Sequence, residues 1–342
     1  MKTDSLSTSQ KSSLIMDDQA KLLVGLVCSD AELVKYYVQL ITEIKRFTLK
    51  AIWCPDTERS IEIAADNDVP SVSHTAFQLI SRNDTNAIVI TGHAAHNALF
   101  CMQAQELYEV KIFNLALKKK AICIGTAALS EHTAELLVEF SKKHCAFLRI
   151  IYPLKYSMPM ALIVANIAKI GSIQSISAEA TFERPEDDKH RLYNECNTVL
   201  HQVSHELIDA LSAVCGCKPI PIAATCHRQN SLVEHFRLQE LECVHMQIAF
   251  GNAIASIRIT VNTVKTLVLR IIGELGFFQL DPRMLIMEGR EGQGVLWRSD
   301  GAMENIIRSG TVKALENFDC EKISMDTDEL SLVQCVSKCR FI

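Results

Sequence analysis

Lys21-Leu-Leu-Val-Gly-Leu-Val-Cys-Ser-Asp-Ala-Glu-Leu33 is the stretch whose reading decides the fold. Its opening, Lys21 to Val27, is apolar enough for a strand buried on both faces. Leu33, Tyr37, Leu40, Ile41 and Ile44 then recur at the spacing of an amphipathic helix laid over that strand. A dinucleotide-binding turn at such a junction reads G-x-G-x-x-G, and here Cys28, Asp30 and Leu33 stand at the three glycine places. The fold signal and the activity signal therefore separate at the first turn of the chain.

Each lost glycine has a physical cost to a bound pyrophosphate. The first allows the tight turn, the second lets backbone approach the phosphates, and the third lets the helix pack close to the strand. Asp30 adds charge: like charges about 4 Å apart repel by about 4 kcal/mol at an effective dielectric near 20, which is roughly two to three decades of affinity. Ser29-Asp-Ala-Glu32 also has the S-x-x-E form of a capping box. In that box Ser29 takes the Glu32 amide and Glu32 returns to the Ser29 amide. Whether it forms or the two residues are merely good helix starters, less of the helix N-terminus is left for an anion.

Working outward, strand-like runs recur at Thr48–Trp53, Ala87–Thr91, Ala121–Ile124 and Ala146–Ile151. Helical stretches separate them at Glu32–Arg46, Thr57–Asn67, His96–Lys119 and Glu131–His144, and Val69–Val72 reads as an edge strand. This alternation predicts a doubly wound parallel α/β sheet over residues 20–150, after a polar tail at 1–19. From 151 to 342 the pattern changes to α+β. Met160–Ile170 and Thr198–Val214 read as helices, and Arg184–Asn194 as a loop. Gln174–Glu183, Pro221–Thr225, Val244–Phe250, Ala253–Val261 and Thr266–Ile272 read as strands of an open, mostly antiparallel sheet. Gly251-Asn252 supplies one hairpin turn. Gly289, Gly292 and Gly294, beside Glu288 and Glu291, read as a loop with no phosphate-binding pattern.

Composition narrows the class. The 342 residues carry a formal net charge of −5, with 48% hydrophobic and 22% charged residues, as expected of a globular protein that binds neither nucleic acid nor membrane. Thirteen cysteines are scattered singly rather than set as a framework. Cys28, Cys123, Cys145 and Cys243 lie among apolar residues, which suits a reducing, cytoplasmic setting. The opening residues lack the apolar core of a secretory signal, and no run is long enough to span a bilayer.

The order of parts resembles the glucose–fructose oxidoreductase and inositol dehydrogenase (Gfo/Idh/MocA) family, nearest its glucose–fructose oxidoreductase domain-containing branch. The likeness rests on Ala51-Ile-Trp-Cys-Pro-Asp-Thr57, Ala121-Ile-Cys-Ile-Gly-Thr-Ala127, Leu200-His-Gln-Val-Ser-His-Glu-Leu-Ile-Asp209 and Ser309-Gly-Thr-Val-Lys313. It implies a Rossmann domain joined to an open-sheet domain, NAD(P) as the cofactor if any is bound, a sugar-like substrate, and a homodimer formed through the open sheet. The site motifs depart from the family. Where its E-K-P motif supplies a lysine, Ile124, Gly125 and Thr126 stand. Where its D-x-G-x-H motif supplies a proton-transferring histidine, anchoring on Ile208-Asp209 places Gln202, Ser204 and Glu206. His205 lies one residue, or about 100°, away on the helix. The ribose-binding acid is replaced by Cys54, followed by Pro55.

The expected cofactor edge is therefore a degenerate one, formed by Cys28, Ser29, Asp30, Cys54, Thr91, Gly92, His93 and Gly125. Lys155 and His205 are the candidate catalytic groups; Lys155-Tyr156 resembles an Arg-Phe pair near the family's pocket, where Lys155 meets an anionic substrate or closes the interdomain cleft. His201 and His205, one helical turn apart, are either a pH-sensitive pair or ordinary interdomain packing. His93 and His96 follow a strand at the ligand-binding edge and read as loop histidines. Cys215-Gly-Cys217 with Cys226-His227 lacks zinc-ligand spacing, so no metal site is expected, and Gly216 reads as a helix C-cap. The joint loss of glycine loop, ribose acid, lysine and histidine points to a catalytically degenerate binding or scaffold protein. The alternative is an active NAD(P)-dependent oxidoreductase using His205 or Lys155.

Overall fold

The computed structural model describes residues 21–110, 120–144, 147–183, 192–233, 236–262, 265–290, 292–301, 303–317 and 334–335. Five parallel strands form the first sheet: β1 (Leu22–Cys28), β2 (Phe47–Trp53), β3 (Ala87–Thr91), β4 (Lys120–Ile124) and β5 (Phe147–Ile151), in the order β2-β1-β3-β4-β5. The helices α1 (Val34–Glu43), α2 (Thr57–Asp66), α3 (Ala76–Ser81), α4 (Ala94–Val110) and α5 (Glu131–His144) connect them. Val69–Val72 contributes only an isolated bridge, Ile52 to Val72, in place of a full edge strand. Cores lie on both faces of this sheet: Val24, Leu26 and Ile41 pack on one, and Val27, Leu79 and Ile90 on the other. That two-sided burial is why β1 reads as a continuous apolar run.

A short helix α6 (Pro153–Tyr156) leads into α7 (Met158–Asn166), which tightens to a 3-10 turn at Ile167–Ile170 where the sequence reads as one helix. The second sheet has eight strands: β6 (Ile173–Glu183), β7 (Pro219–Val233), β8 (Phe236–Phe250), β9 (Ala253–Asn262), β10 (Thr266–Gly273), β11 (Phe277–Leu280), β12 (Met284–Gly289) and β13 (Gly292–Arg298). Their order is β13-β12-β11-β10-β6-β9-β8-β7, and only the β6–β9 pair is parallel. The last three strands were not evident in the sequence, and the glycine-rich stretch read as a loop pairs Gly289 with Gly292 across a hairpin. Short strands interrupted by Gly, Asp and Glu give no clean alternation, so tertiary pairing decides them.

Helix α8 (Leu192–Cys215) crosses this sheet and begins earlier than its sequence pattern suggests, taking in residues 192–194. It ends at Gly216, whose φ of 64° is the left-handed C-cap expected. Cys28 and Cys123 are buried thiols as read; Cys243 is half-buried, and Cys145 lies outside the described residues. No helix among the described residues is long and apolar enough to cross a membrane.

The last helix, α9 (Met303–Glu316), serves both halves. Ile306 belongs to the core of the eight-stranded sheet, whereas Ala314 and Leu315 complete the core around β1 and α1. Gly310 permits this seating: a Cβ there would lie 2.0 Å from the Pro153 carbonyl oxygen. Arg308 pairs with Glu43 of α1 and covers the Tyr36 ring.

Candidate functional site

Open α/β sheets hold ligands in a crevice at the carboxyl ends of their strands, and here α8 meets that edge at the turn after β4. At its outer half, helix α1 starts at Val34, later than the S-x-x-E pattern suggests, and the capping box does not form. Ser29 still belongs to the strand exit. Its amide donates to the Thr91 carbonyl at 3.0 Å, and its hydroxyl accepts the His93 amide at 2.7 Å. Asp30 takes the place expected of Ser29: its carboxylate accepts the Glu32 amide at 2.9 Å, and its carbonyl accepts the Leu33 amide at 3.2 Å. Glu32 turns away and forms a two-point ion pair with Arg59 of α2, one contact at 2.8 Å.

Two strand-end thiols close their own turns in the same way. Cys28 Sγ donates to the Asp30 carbonyl at 3.1 Å, and Cys54 Sγ donates to the Asp56 carbonyl at 2.9 Å. Burial pushes the Cys28 thiol up to about 12, so it stays protonated and inert. Gly92, with φ at 107°, lies against this loop so closely that a Cβ would sit 2.5 Å from Ser29 Oγ and 2.8 Å from the Asp30 amide nitrogen. The structure thus brings Cys28, Ser29, Asp30, Thr91, Gly92 and His93 together, with Cys54 at the neighbouring strand end. His93 and His96 stack edge to face with ring centres 6.0 Å apart, on the loop side.

The inner half is organised around α8. His205 is buried against the turn after β4, its Nδ1 3.0 Å from Thr126 Oγ1 and its ring 6.0 Å from Tyr152. Asn97, fully buried, donates to the Thr126 carbonyl at 3.0 Å, so α4, the β4 turn and α8 share one network. Gly125, at the place of the family's lysine, has φ at 89° and bonds the Ile151 carbonyl through its amide. Lys155 Nζ meets Asp209 Oδ1 at 3.1 Å, so this candidate ties α6 to α8. The side chain of His201 lies outside the described residues, and with it the proposed histidine pair.

Sequence reasoning treated Glu206 as a lost histidine and missed what it is. Its charge reaches Tyr36 and Tyr37 of α1, and Tyr37 in turn bonds Thr91. Burial, reinforced by the Asp209 charge, pushes the Glu206 carboxyl up to about 8. A carboxylic acid that titrates near neutrality can give or take a proton. The available signal was its place three residues before Asp209.

No family model matches the sequence, and no curated protein matches it. Solved structures match its fold throughout. An oxidoreductase from Agrobacterium radiobacter, in complex with NAD+, L-tartaric acid and magnesium, superposes with a TM-score of 0.75 at 13% identity, covering 93% of this chain and 95% of that one. Levoglucosan dehydrogenase, in complex with NADH and levoglucosan, gives 0.75 at 14% identity over 93% and 97%. Biliverdin reductase from Synechocystis, in complex with biliverdin and NADP+, gives 0.71 at 12% over 93% and 98%. The chain therefore has the fold of Gfo/Idh/MocA-type oxidoreductases.

That fold raises the question of a dinucleotide, and the loop residues do not fit its pyrophosphate. The amides of Ser29, Glu32, Leu33 and His93 already donate to acceptors of the chain itself, and one of those acceptors is the Asp30 carboxylate. Across the ribose position, Arg59 and Glu32 join α2 to the first loop.

Proposed function

We propose that this protein is a catalytically degenerate oxidoreductase-fold protein that acts by binding, as a scaffold, rather than by hydride transfer. The observation that carries this reading is the β1–α1 turn, whose donors serve Thr91, Asp30 and Ser29 instead of an exogenous phosphate. Gly125 in place of the lysine, and a buried His205 bonded to Thr126, support it from the inner half of the crevice.

The test is a titration of the purified protein with NADPH and NADH, following thermal stability and nicotinamide fluorescence. Neither coenzyme should shift the melting transition; micromolar binding by either overturns the reading. Replacing Cys28 and Asp30 together by glycine should raise coenzyme affinity, because it removes both the crowding and the charge. No gain would mean that the loop is not what excludes the coenzyme.

Glu206 favours a second reading, an active NAD(P)-dependent oxidoreductase on a sugar-like substrate. Its near-neutral titration suits an acid–base group at the position where the family has histidine. The same titration separates the two readings.

A further inference from the structure

Cys28 and Cys54 are neighbours at the carboxyl edge of the first sheet. Strands β1 and β2 run parallel, with Leu26 beside Ile52 and Val27 beside Trp53, so one step further Cys28 stands beside Cys54. Side chains alternate along a strand. Leu26, Cys28, Ile52 and Cys54 all belong to one core, whereas Val27 and Trp53 pack on the opposite face. Both thiols therefore point the same way, into the apolar layer beneath α1 and α2. They are free and almost wholly enclosed, 0% and 1% exposed. The charge of Cys54 is felt at Cys28.

Apolar packing accounts for a single buried thiol, but a polar group is set against this pair. Ser60, in the first turn of α2 and itself fully buried, holds its hydroxyl 2.9 Å from Cys54 Sγ. A hydroxyl that donates to sulfur favours the charged form over the neutral one. Helix α2 begins three residues after Cys54, and a helix N-terminus favours a thiolate in the same way.

We propose that Cys28 and Cys54 form a two-coordinate site for a soft monovalent cation, copper(I). A linear bis-thiolate spans two metal–sulfur bonds of about 2.3 Å each, close to the ~4.8 Å between neighbouring strands. The cation takes the place of both thiol protons, which pass to solvent, and no electron moves. A bound metal deprotonates its thiol ligands outright, so the burial that keeps the bare pair inert does not prevent ligation. Sulfur ligands select copper(I) over hard cations. Zinc takes four ligands, and among the described residues no three His, Cys, Asp or Glu are grouped to hold a metal. The site rests on strand register and stands whether or not a coenzyme enters the crevice.

The probe is copper(I), supplied under argon to the reduced full-length chain as its bicinchoninate complex, whose colour reports transfer. One equivalent should move to the protein, and X-ray absorption should show two sulfur neighbours. Cys28→Ser and Cys54→Ser should each weaken that equivalent about a hundredfold. Cys28→Ala and Cys54→Ala keep the layer apolar and replace any serine variant that fails to fold. The competing site is the half-buried pair Cys215 and Cys217 at the end of α8. Replacing both of these by serine should leave the first equivalent unchanged, and excess zinc should not displace it. Absent transfer, three sulfur neighbours, displacement by zinc, or loss of the first equivalent with Cys215 and Cys217 each overturns the proposal.

Discussion

The two halves of the crevice dispose of their polar groups in opposite ways. In the outer half, around Ser29 and Asp30, polar groups are satisfied by the chain, and the one exposed charge pair, Glu32 with Arg59, is internal. In the inner half, Lys155 pairs with Asp209, while burial and the Asp209 charge raise the Glu206 carboxyl. A backbone turn removed from water must pair its amides with something, so a turn without a phosphate acquires internal acceptors. A carboxylic acid has another route, because it can keep its proton. The outer half is thus saturated and the inner half responsive.

The most severe way to break this contrast is Gly92→Val. The added side chain meets Ser29 and Asp30 and demands a left-handed backbone from a β-branched residue. A loss of about 3–5 kcal/mol is expected in denaturant unfolding. An unchanged midpoint would mean that the outer half is loose rather than locked.

The contrast sharpens with pH. The folded Glu206 carboxyl holds its proton to about pH 8, well above its value of 4.5 in an unfolded chain. Between those values the folded state binds more protons, so raising the pH favours unfolding; below them both states are protonated and the stabilisation is complete. Glu206→Gln removes this dependence. Relative to wild type, the variant should gain about 2 kcal/mol as the pH rises from 6 to 8. Parallel pH–stability curves for the two proteins would show that Glu206 is an ordinary carboxylate.

The smallest effect tests a single bond. Ser29→Ala leaves the His93 amide without its acceptor and should cost about 1–2 kcal/mol, read as a modest drop in melting temperature. A neutral substitution would place water, rather than the hydroxyl, at that amide.

Much of the architecture was legible because it rests on repeated local pattern. The apolar run before Cys28 and the alternation up to Ile151 specify the parallel sheet, and Gly251, with φ at 59°, makes the expected hairpin. What failed was decided by partners distant in sequence. Ser29 matches a capping box locally, yet its bonds go to Thr91 and His93 on another strand end. Glu206 differs from any exposed helical glutamate in its burial and in the Asp209 charge beside it, which together raise its carboxyl. Cys28, Ser29, Asp30, Thr91, Gly92 and His93 lie together, but their bonds are set by contacts that the sequence does not display.

The helix that carries Gly310 has a consequence for how the chain is made. Ala314 and Leu315 fill a core that otherwise consists of residues from the first half. During synthesis that half emerges before these residues and lacks its final apolar pieces until Leu315 has left the ribosome. Its completion is bound to contacts of long sequence separation, which makes for slow maturation and a single cooperative unit.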